Sequence, residues 1–409
     1  MKKKFIKGIV VAGLVVFIGN SPAPAANATG EIETLKQQVQ LLIRQNKQLM
    51  QRVSELEKTK QGAKVPVLSD DDLEKKVSKI LRHKEKEKIP GEKLGHMINK
   101  YIDFSTLIEV EGSAGEDFAG VNESKFELAT VELDFVGRVS DWANAYLTIL
   151  YEEGGDDKVL IDDAHIIIGN TKKFPVYLNI GRQYVPFGNF TSNMISDPLT
   201  LEIAETRETA LQVGFEAAGA YGSVFAFNGD TNEDDGDSRI EQFGASLGYT
   251  YEQEGFSVDV GISYMNSMGD SDGLSGILAE KNLLASDYVG GIGVHAIAHI
   301  GPVSLIGEYI TALDDFDDQT DFQPMAFNIE TGYTFDISGM ESTVAVACQG
   351  TDDMVGNLPE SRILASFGIG IFEGTTLAVE YAHDKDYGTS EGGTDNSAHT
   401  FTAQLAYEF

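Results

Sequence analysis

The feature that most constrains this chain is an alternation of greasy and polar residues with period two, renewed in segments of about ten residues from Tyr101 to Phe409. Ile102, Phe104, Ile108 and Val110 alternate with Asp103, Ser105 and Glu109. Phe256, Val258, Val260, Ile262 and Tyr264 alternate with Ser257, Asp259, Gly261 and Ser263. A strand showing one face to hydrocarbon and the other to water has this pattern, and roughly 9–11 tilted residues cross a bilayer. Sixteen such segments can be marked, near 100–111, 124–137, 142–152, 158–169, 175–185, 205–217, 219–228, 239–251, 255–266, 288–300, 302–312, 324–335, 341–350, 359–371, 374–384 and 398–409. The count is even, as a closed bacterial single-chain barrel requires.

The connections alternate in length. Arg138–Asp141, Glu252–Glu254, Asp336–Met340 and Phe372–Glu373 are short, whereas Gly112–Glu123, Pro186–Ala204, Gly229–Ser238, Ser267–Asp287, Leu313–Gln323, Thr351–Leu358 and Lys385–Ser397 are long. Short periplasmic turns and long outer loops alternate in this way when both barrel termini are periplasmic. A soluble β-sandwich is the competing architecture, but it needs neither the even count nor the loop alternation. The final strand, with Ala403, Leu405, Tyr407 and Phe409 in step, also matches the aromatic C-terminal strand of outer-membrane barrels. The expectation is an all-β transmembrane barrel of 16 antiparallel strands over 100–409, preceded by a periplasmic coiled-coil helix.

Residues before the barrel differ in composition. The first hundred hold 20 of the 31 basic side chains and 11 of the 64 acidic ones. Lys2, Lys3, Lys4 and Lys7 precede the apolar run Gly8–Ile18 and the small residues Ala23, Ala25, Ala26 and Ala28, which reads as a signal peptide over 1–28, cut after Ala28 or Ala25. From 31 to 60, Ile32, Leu35, Val39, Leu42, Asn46, Leu49, Val53 and Leu56 follow each other at spacings of three and four, a heptad seam with one Asn at a. Ile and Val at a with Leu at d favour two strands on peptide evidence, while a trimeric barrel would want three; both remain open. Residues 61–99 read as a periplasmic linker with a short helix begun at Ser69. Its basic stretch Arg82–Lys93 is either a solvated spacer or a contact for peptidoglycan.

Parity assigns the inner face. Asp103, Glu109, Glu132, Asp134, Asp163, Glu208, Glu216, Asp259, Glu308, Glu330, Glu380 and Glu408 fall on it, against Arg362 and the histidines His165, His295 and His299. Individual carboxylates serve as wall hydrogen bonds, but their summed sign implies a lumen that favours cations. Asp162, Arg182, Arg207 and Arg239 fall on the lipid parity, so they belong near the outer rim or a bulge shifts the register. Within the third outer loop, Phe187, Asn189, Phe190, Asn193, Met194 and Asp197 would line a constriction if the loop folds inward; packing on the rim or on a neighbour is the alternative.

The outer loops are acidic. Asp230, Asn232 and Asp234 make a weak calcium pattern, since Gly236 comes one place late for an EF-hand. Solvated, mutually repelling loops compete there with divalent cations bridging to lipopolysaccharide. No resident cofactor is expected. The net charge of −33 excludes a nucleic-acid partner, and the single Cys348 excludes a disulfide framework. No H-E-x-x-H or phosphate-cradling glycine loop is present, and His295 and His299 lie about 13 Å apart along a strand, so an enzyme is not expected.

Gly181-Arg182-Gln183-Tyr184-Val185-Pro186-Phe187-Gly188 resembles the matching stretch of phosphate-selective porin O/P-like barrels. The layout of signal, heptad helix and sixteen strands, with Tyr101-Ile102-Asp103-Phe104 and Ile161-Asp162-Asp163-Ala164-His165, is similar to the LbtU-type siderophore porin family. The resemblance implies uptake of an iron–siderophore complex across the bacterial outer membrane by a porin-like route. The reading is a homotrimeric porin passing small solutes by diffusion. A general cation-preferring porin, or a structural or adhesive protein tying membrane to cell wall, are the alternatives.

Overall fold

The computed structural model describes residues 101–153, 159–229, 231, 240–280, 288–316 and 322–409. The signal peptide, the heptad seam from Ile32 to Leu56, the linker, Arg239 and the calcium candidates Asp230, Asn232 and Asp234 lie outside these.

Sixteen strands form one closed antiparallel barrel, each paired with its neighbours in sequence, with β1 closing on β16. They are β1 (Ile102–Glu116), β2 (Asn122–Ser140), β3 (Ala143–Tyr151), β4 (Leu160–Asn170), β5 (Phe174–Tyr184), β6 (Arg207–Ala217), β7 (Ala220–Phe227) and β8 (Gln242–Gln253). The second half comprises β9 (Phe256–Met265), β10 (Gly291–Ile300), β11 (Val303–Ala312), β12 (Met325–Ile337), β13 (Met340–Asp352), β14 (Ser361–Phe372), β15 (Thr375–Lys385) and β16 (Ser397–Glu408). Closure runs in register from Leu107↔Glu408 to Glu116↔His399. Closure removes the edge strands that an open sheet would expose.

The period-two pattern produces this wall directly. On β9, Val260, Ile262 and Tyr264 are exposed while Ser263 and Met265 are buried, and β12, β13 and β16 alternate likewise. The outer surface is therefore an apolar belt, and no helix among the described residues is long and apolar enough to cross a membrane. Near the rim where β1 begins and β16 ends, Phe104 packs on Phe135 and Phe409, with Tyr251–Phe256 and Tyr333–Phe335 at the same end of the barrel.

Turns at that terminal rim are tight. Ala218-Gly219 and Ser338-Gly339 each have positive φ at both central residues (51° and 87°, 57° and 88°), the type I′ geometry that matches strand twist. Long connections leave the opposite rim. The first is shorter than expected: β1 and β2 extend to Glu116 and back from Asn122, because pairing continues through Ala114↔Ser124. Two loops contain helices that the alternation did not announce, α1 (Leu199–Ala204) and α2 (Asp272–Glu280).

Candidate functional site

β5 and β6 are neighbours, yet the chain between Tyr184 and Arg207 does not close the short gap over the rim. Its backbone bonds to inner-face side chains far around the wall. On β11, the Glu308 carboxylate accepts the amide N–H of Asn189 at 2.6 Å and of Phe190 at 3.2 Å, and the Thr200 hydroxyl at 2.7 Å. Glu330 of β12 accepts the Asn193 N–H at 2.8 Å and the Ser192 hydroxyl at 2.7 Å. On β15, Glu380 accepts the amides of Ile195 at 2.5 Å and Ser196 at 3.2 Å, and the Ser196 hydroxyl at 2.5 Å. Between these strands, Gln349 of β13 accepts from Leu199 N–H and Ser366 of β14 donates to the Asn193 carbonyl. A loop leaving β5 can reach β9 through β15 on their inner faces only by crossing the lumen.

Apolar packing completes the partition. Phe187, Leu199, Ile203 and Ala204 of the loop meet Phe225, Phe227, Met265, Ile310 and Ala326 of the wall, with Met268, Leu274 and Leu278 from the β9–β10 connection. The inner face beside β6–β12 is therefore greasy at its loop end, where parity alone expected water. Met194 seats separately on Ala345, Ala347, Leu364 and Ala382. The Ser271 hydroxyl donates to the Ile203 carbonyl at 2.8 Å, and Asp272 N–H to the Glu205 carbonyl at 2.7 Å, locking α2 onto the exit of the crossing loop.

These contacts revise several sequence expectations. Glu308, Glu330 and Glu380 point inward but are 6%, 2% and 2% exposed, taken up by the loop and not by the passage. Phe187 and Met194 are buried in the two clusters and do not face open space. Asn189 accepts from Thr191 within the loop, the Asn193 amide donates to Glu330 and Ser304 of the wall, and Phe190 packs against the core with its backbone at φ 58°.

Between the loop and the opposite wall of β1, β2 and β14–β16 lies a cavity of about 740 Å³. From the wall it receives Glu111, Glu123, Glu127 and Asp384; from the loop, Asp197 and Glu202. Glu116 and Asp117 stand at its mouth. Its two cations are already partnered. Lys125 Nζ is 2.7 Å from Glu127, and Arg362 forms a bidentate pair with Asp384 at 2.8 and 3.0 Å. Glu111 and Glu127 face each other in register, with Gln404 donating to Glu111 at 2.8 Å.

Most of these residues escaped the sequence reading. Asp384 shares the parity of Glu380 and was legible. Glu127 was not, because Ala129 is an extra residue where the register slips between Glu109 and Val110, which inverts the parity set by Glu132 and Asp134.

The remaining expected wall residues are dispersed. Asp103 pairs with Arg138 at the terminal rim. Asp134 accepts from Thr148 at 2.7 Å and Ser105 at 3.4 Å. Glu109 is wholly buried, Glu132 sits in register between Leu107 and Leu150, and Glu208 opposes Gln183. His165 stacks on Tyr146 with centroids 4.9 Å apart. Asp259 accepts from Tyr221 at 2.7 Å, and His295 lies 3.9 Å from it. Glu216, His299 and Glu408 are exposed near the terminal rim. A second register slip, between Leu147 and Ile149, leaves Asp162 and Asp163 opposite Thr148. Asp162 is there bound to Arg207 at 2.5 Å and to the Tyr184 hydroxyl at 2.9 Å, a buried pair at the strand tips.

Three G-x-S-x-G pentads occur, and none forms an exposed strand-to-helix elbow with a base. Gly244–Gly248 lies inside β8 with Ser246 bonded to Ser223, Ser271 of Gly269–Gly273 is fully buried, and Gly388–Gly392 is in the β15–β16 loop.

No family model matches the chain. It is 30% identical over 298 residues to a UPF0422 protein of Coxiella burnetii, a match covering 69% of this chain and 64% of that protein. It is 26% identical over 374 residues to a UPF0422 protein of Legionella pneumophila strain Philadelphia 1, covering 78% and 68%. The chain thus spans about two thirds of the length of these relatives.

Among solved structures, the outer-membrane channel DcaP of Acinetobacter baumannii aligns with 77% of this chain and 100% of its own (TM-score 0.53, 14% identity). An anion-selective porin of Comamonas acidovorans covers 75% and 99% (TM-score 0.54, 12% identity). OmpF of Salmonella typhi, in complex with daunomycin, covers 75% and 97% (TM-score 0.52, 12% identity). The chain has the fold of an outer-membrane porin barrel and is similar in sequence to UPF0422 proteins.

Proposed function

We propose that this protein is a bacterial outer-membrane porin that passes small solutes by diffusion and favours cations. The observation that supports it is the partitioned lumen: a crossing loop held by the wall, beside an open cavity whose carboxylates outnumber its bases and whose bases are both paired. The fields of carboxylates lining one cavity add, so an entering anion meets a net negative potential there. The apolar belt supports insertion in a bilayer, with the terminal rim in the periplasm and the long loops outside.

Resemblance to the LbtU-type family supplies a specific cargo, an iron–siderophore complex, and a homotrimer tied by the heptads of 31–60 is the matching assembly. A cationic or neutral siderophore suits the acidic cavity better than a polycarboxylate one. The experiment is planar-bilayer recording with reversal potential in a potassium chloride gradient. Potassium preference is expected; a silent bilayer would favour the structural or adhesive reading, and anion preference would refute the charge argument. Growth of a deletion strain under iron limitation tests the cargo, and chemical cross-linking with and without residues 31–60 tests the trimer.

A further inference from the structure

The outer surface of β5 carries one charge, Arg182, that enters no ion pair among the described residues. Val176 and Ile180 are exposed on that face, and Arg182 shares their parity, in register with Ala164 on β4 and Thr209 on β6. Two other charged residues that sequence parity placed on the lipid side, Asp162 and Arg207, are bound to each other in the buried pair at the strand tips. Glu208, next to Thr209, is on the opposite parity with buried Ala210 and Gln212. Among the described residues no ion pair includes the Arg182 guanidinium.

Its height matters. Arg182 is two residues from Tyr184, the end of β5, hence about 7 Å below the loop rim. Tyr264 and Tyr309, exposed on the outer face one and three residues from their own strand ends, stand at similar depth and mark the girdle where hydrocarbon gives way to head groups. Apolar Leu211, Ile180 and Ile166, in register with one another, are exposed just below it, so the surface there belongs to lipid tails. The side chain of Arg182 is exposed, so its aliphatic stem can lie along that surface while the fork of N–H donors reaches up into the head groups. A guanidinium matches a phosphate through two parallel hydrogen bonds, which an ammonium cannot reproduce.

We infer that Arg182, with the exposed Thr209 hydroxyl beside it, forms a contact site for the phosphate of an outer-leaflet glycolipid. The inference rests on the outer-membrane reading and its orientation. The apolar surroundings favour a lipid over a carboxylate of a second copy.

The full chain is purified in detergent and titrated with diphosphoryl lipid A, with fully dephosphorylated lipid A as control, and bound lipid is counted by native mass spectrometry. Wild type should bind the phosphorylated lipid, R182Q about tenfold more weakly, and R182K in between, with all three equal on the dephosphorylated lipid. Equal affinity of wild type and R182Q, or indifference to the phosphates, would overturn the site. Lipid-free R182Q losing an oligomer that wild type keeps would overturn it in favour of a protein interface. Bilayer conductance of the same variants separates this outcome from failure of the porin reading, since Arg182 does not face the lumen.

Discussion

Removing one wall carboxylate should loosen the crossing loop without unfolding the barrel. Glu380 receives three hydrogen bonds from two consecutive loop residues while only 2% exposed. A hydrogen bond to a charged group contributes about 1.5–3 kcal/mol net, and a buried donor left without a partner forfeits comparable free energy. Glu380→Gln keeps one acceptor oxygen but loses the charge and turns an amide N–H₂ toward the Ile195 and Ser196 donors. Discounting the retained bond leaves a loss of about 3 kcal/mol, or roughly two decades in the ratio of detached to pinned loop, at 1.4 kcal/mol per decade. The barrel ladder itself is untouched, because Glu380 remains in register with Ser366 and Thr402 through its backbone. Glu308 and Glu330 still hold the preceding residues, so the single variant frees mainly 195–196, and Glu330→Gln with Glu380→Gln should free the stretch from 192 onward. The assay is single-channel conductance and open-channel noise, joined to amide exchange over 189–200. Faster exchange there with larger, noisier conductance is expected, while heat-modifiable gel migration stays normal. A double variant with wild-type exchange and conductance would show that apolar packing holds the loop and that the carboxylate account is wrong.

The buried pair at the strand tips gives a second expectation. Asp162→Asn removes the carboxylate 2.5 Å from the Arg207 guanidinium, a group with 6% of its side chain exposed that also contacts the Tyr184 hydroxyl at 3.3 Å and Asp272 at 3.9 Å, so stability in urea-refolding titrations should fall by about 3–5 kcal/mol; a change under 1 kcal/mol would refute it. A third concerns pH. Hydrogen bonds from the Thr394 hydroxyl, then from the Thr394 and Tyr387 amides, hold the Asp386 carboxyl below the usual carboxylate range, in the β15–β16 loop. A depressed acid stabilises the fold above its ordinary pKa, and that stabilisation is lost as pH falls through the lowered value. Protease nicking of 386–396 should therefore rise in acid, and Thr394→Val should move the rise to higher pH; identical profiles would count against the hydroxyl.

Strand number, order and wall faces were legible because one physical demand, hydrocarbon outside and water inside, repeats every two residues. The third loop was not. Its anchors lie 119, 137 and 185 residues away on β11, β12 and β15, and nothing local at Asn189 or Ser196 distinguishes a loop that crosses from one that caps. Parity failed where one residue is inserted: Ala129 turns Glu127 inward, and the slip beside Thr148 brings Asp162 to Arg207. Both are single-residue events in strands whose composition is unremarkable, so a rule that counts by twos cannot see them. The greasy inner face near Phe225 and Met265 could have been noticed, since an apolar residue on luminal parity needs a cover.

That distinction changes how luminal charge should be counted. The sequence sum included Glu308, Glu330 and Glu380, whose carboxylates are hydrogen-bonded by loop amides and buried beneath the loop. The proposed sign rests instead on other residues: Glu111, Glu123 and Glu127 of β1 and β2, with Asp197 and Glu202 of the loop, border the cavity from both sides. An anion-selective porin of Comamonas acidovorans shares this barrel at a TM-score of 0.54, so the wall's fold does not set the proposed cation preference. It lies in which side chains the crossing loop leaves uncovered. Selectivity should accordingly respond to Glu127→Gln or Asp197→Asn, and much less to the anchoring glutamates unless the loop itself moves.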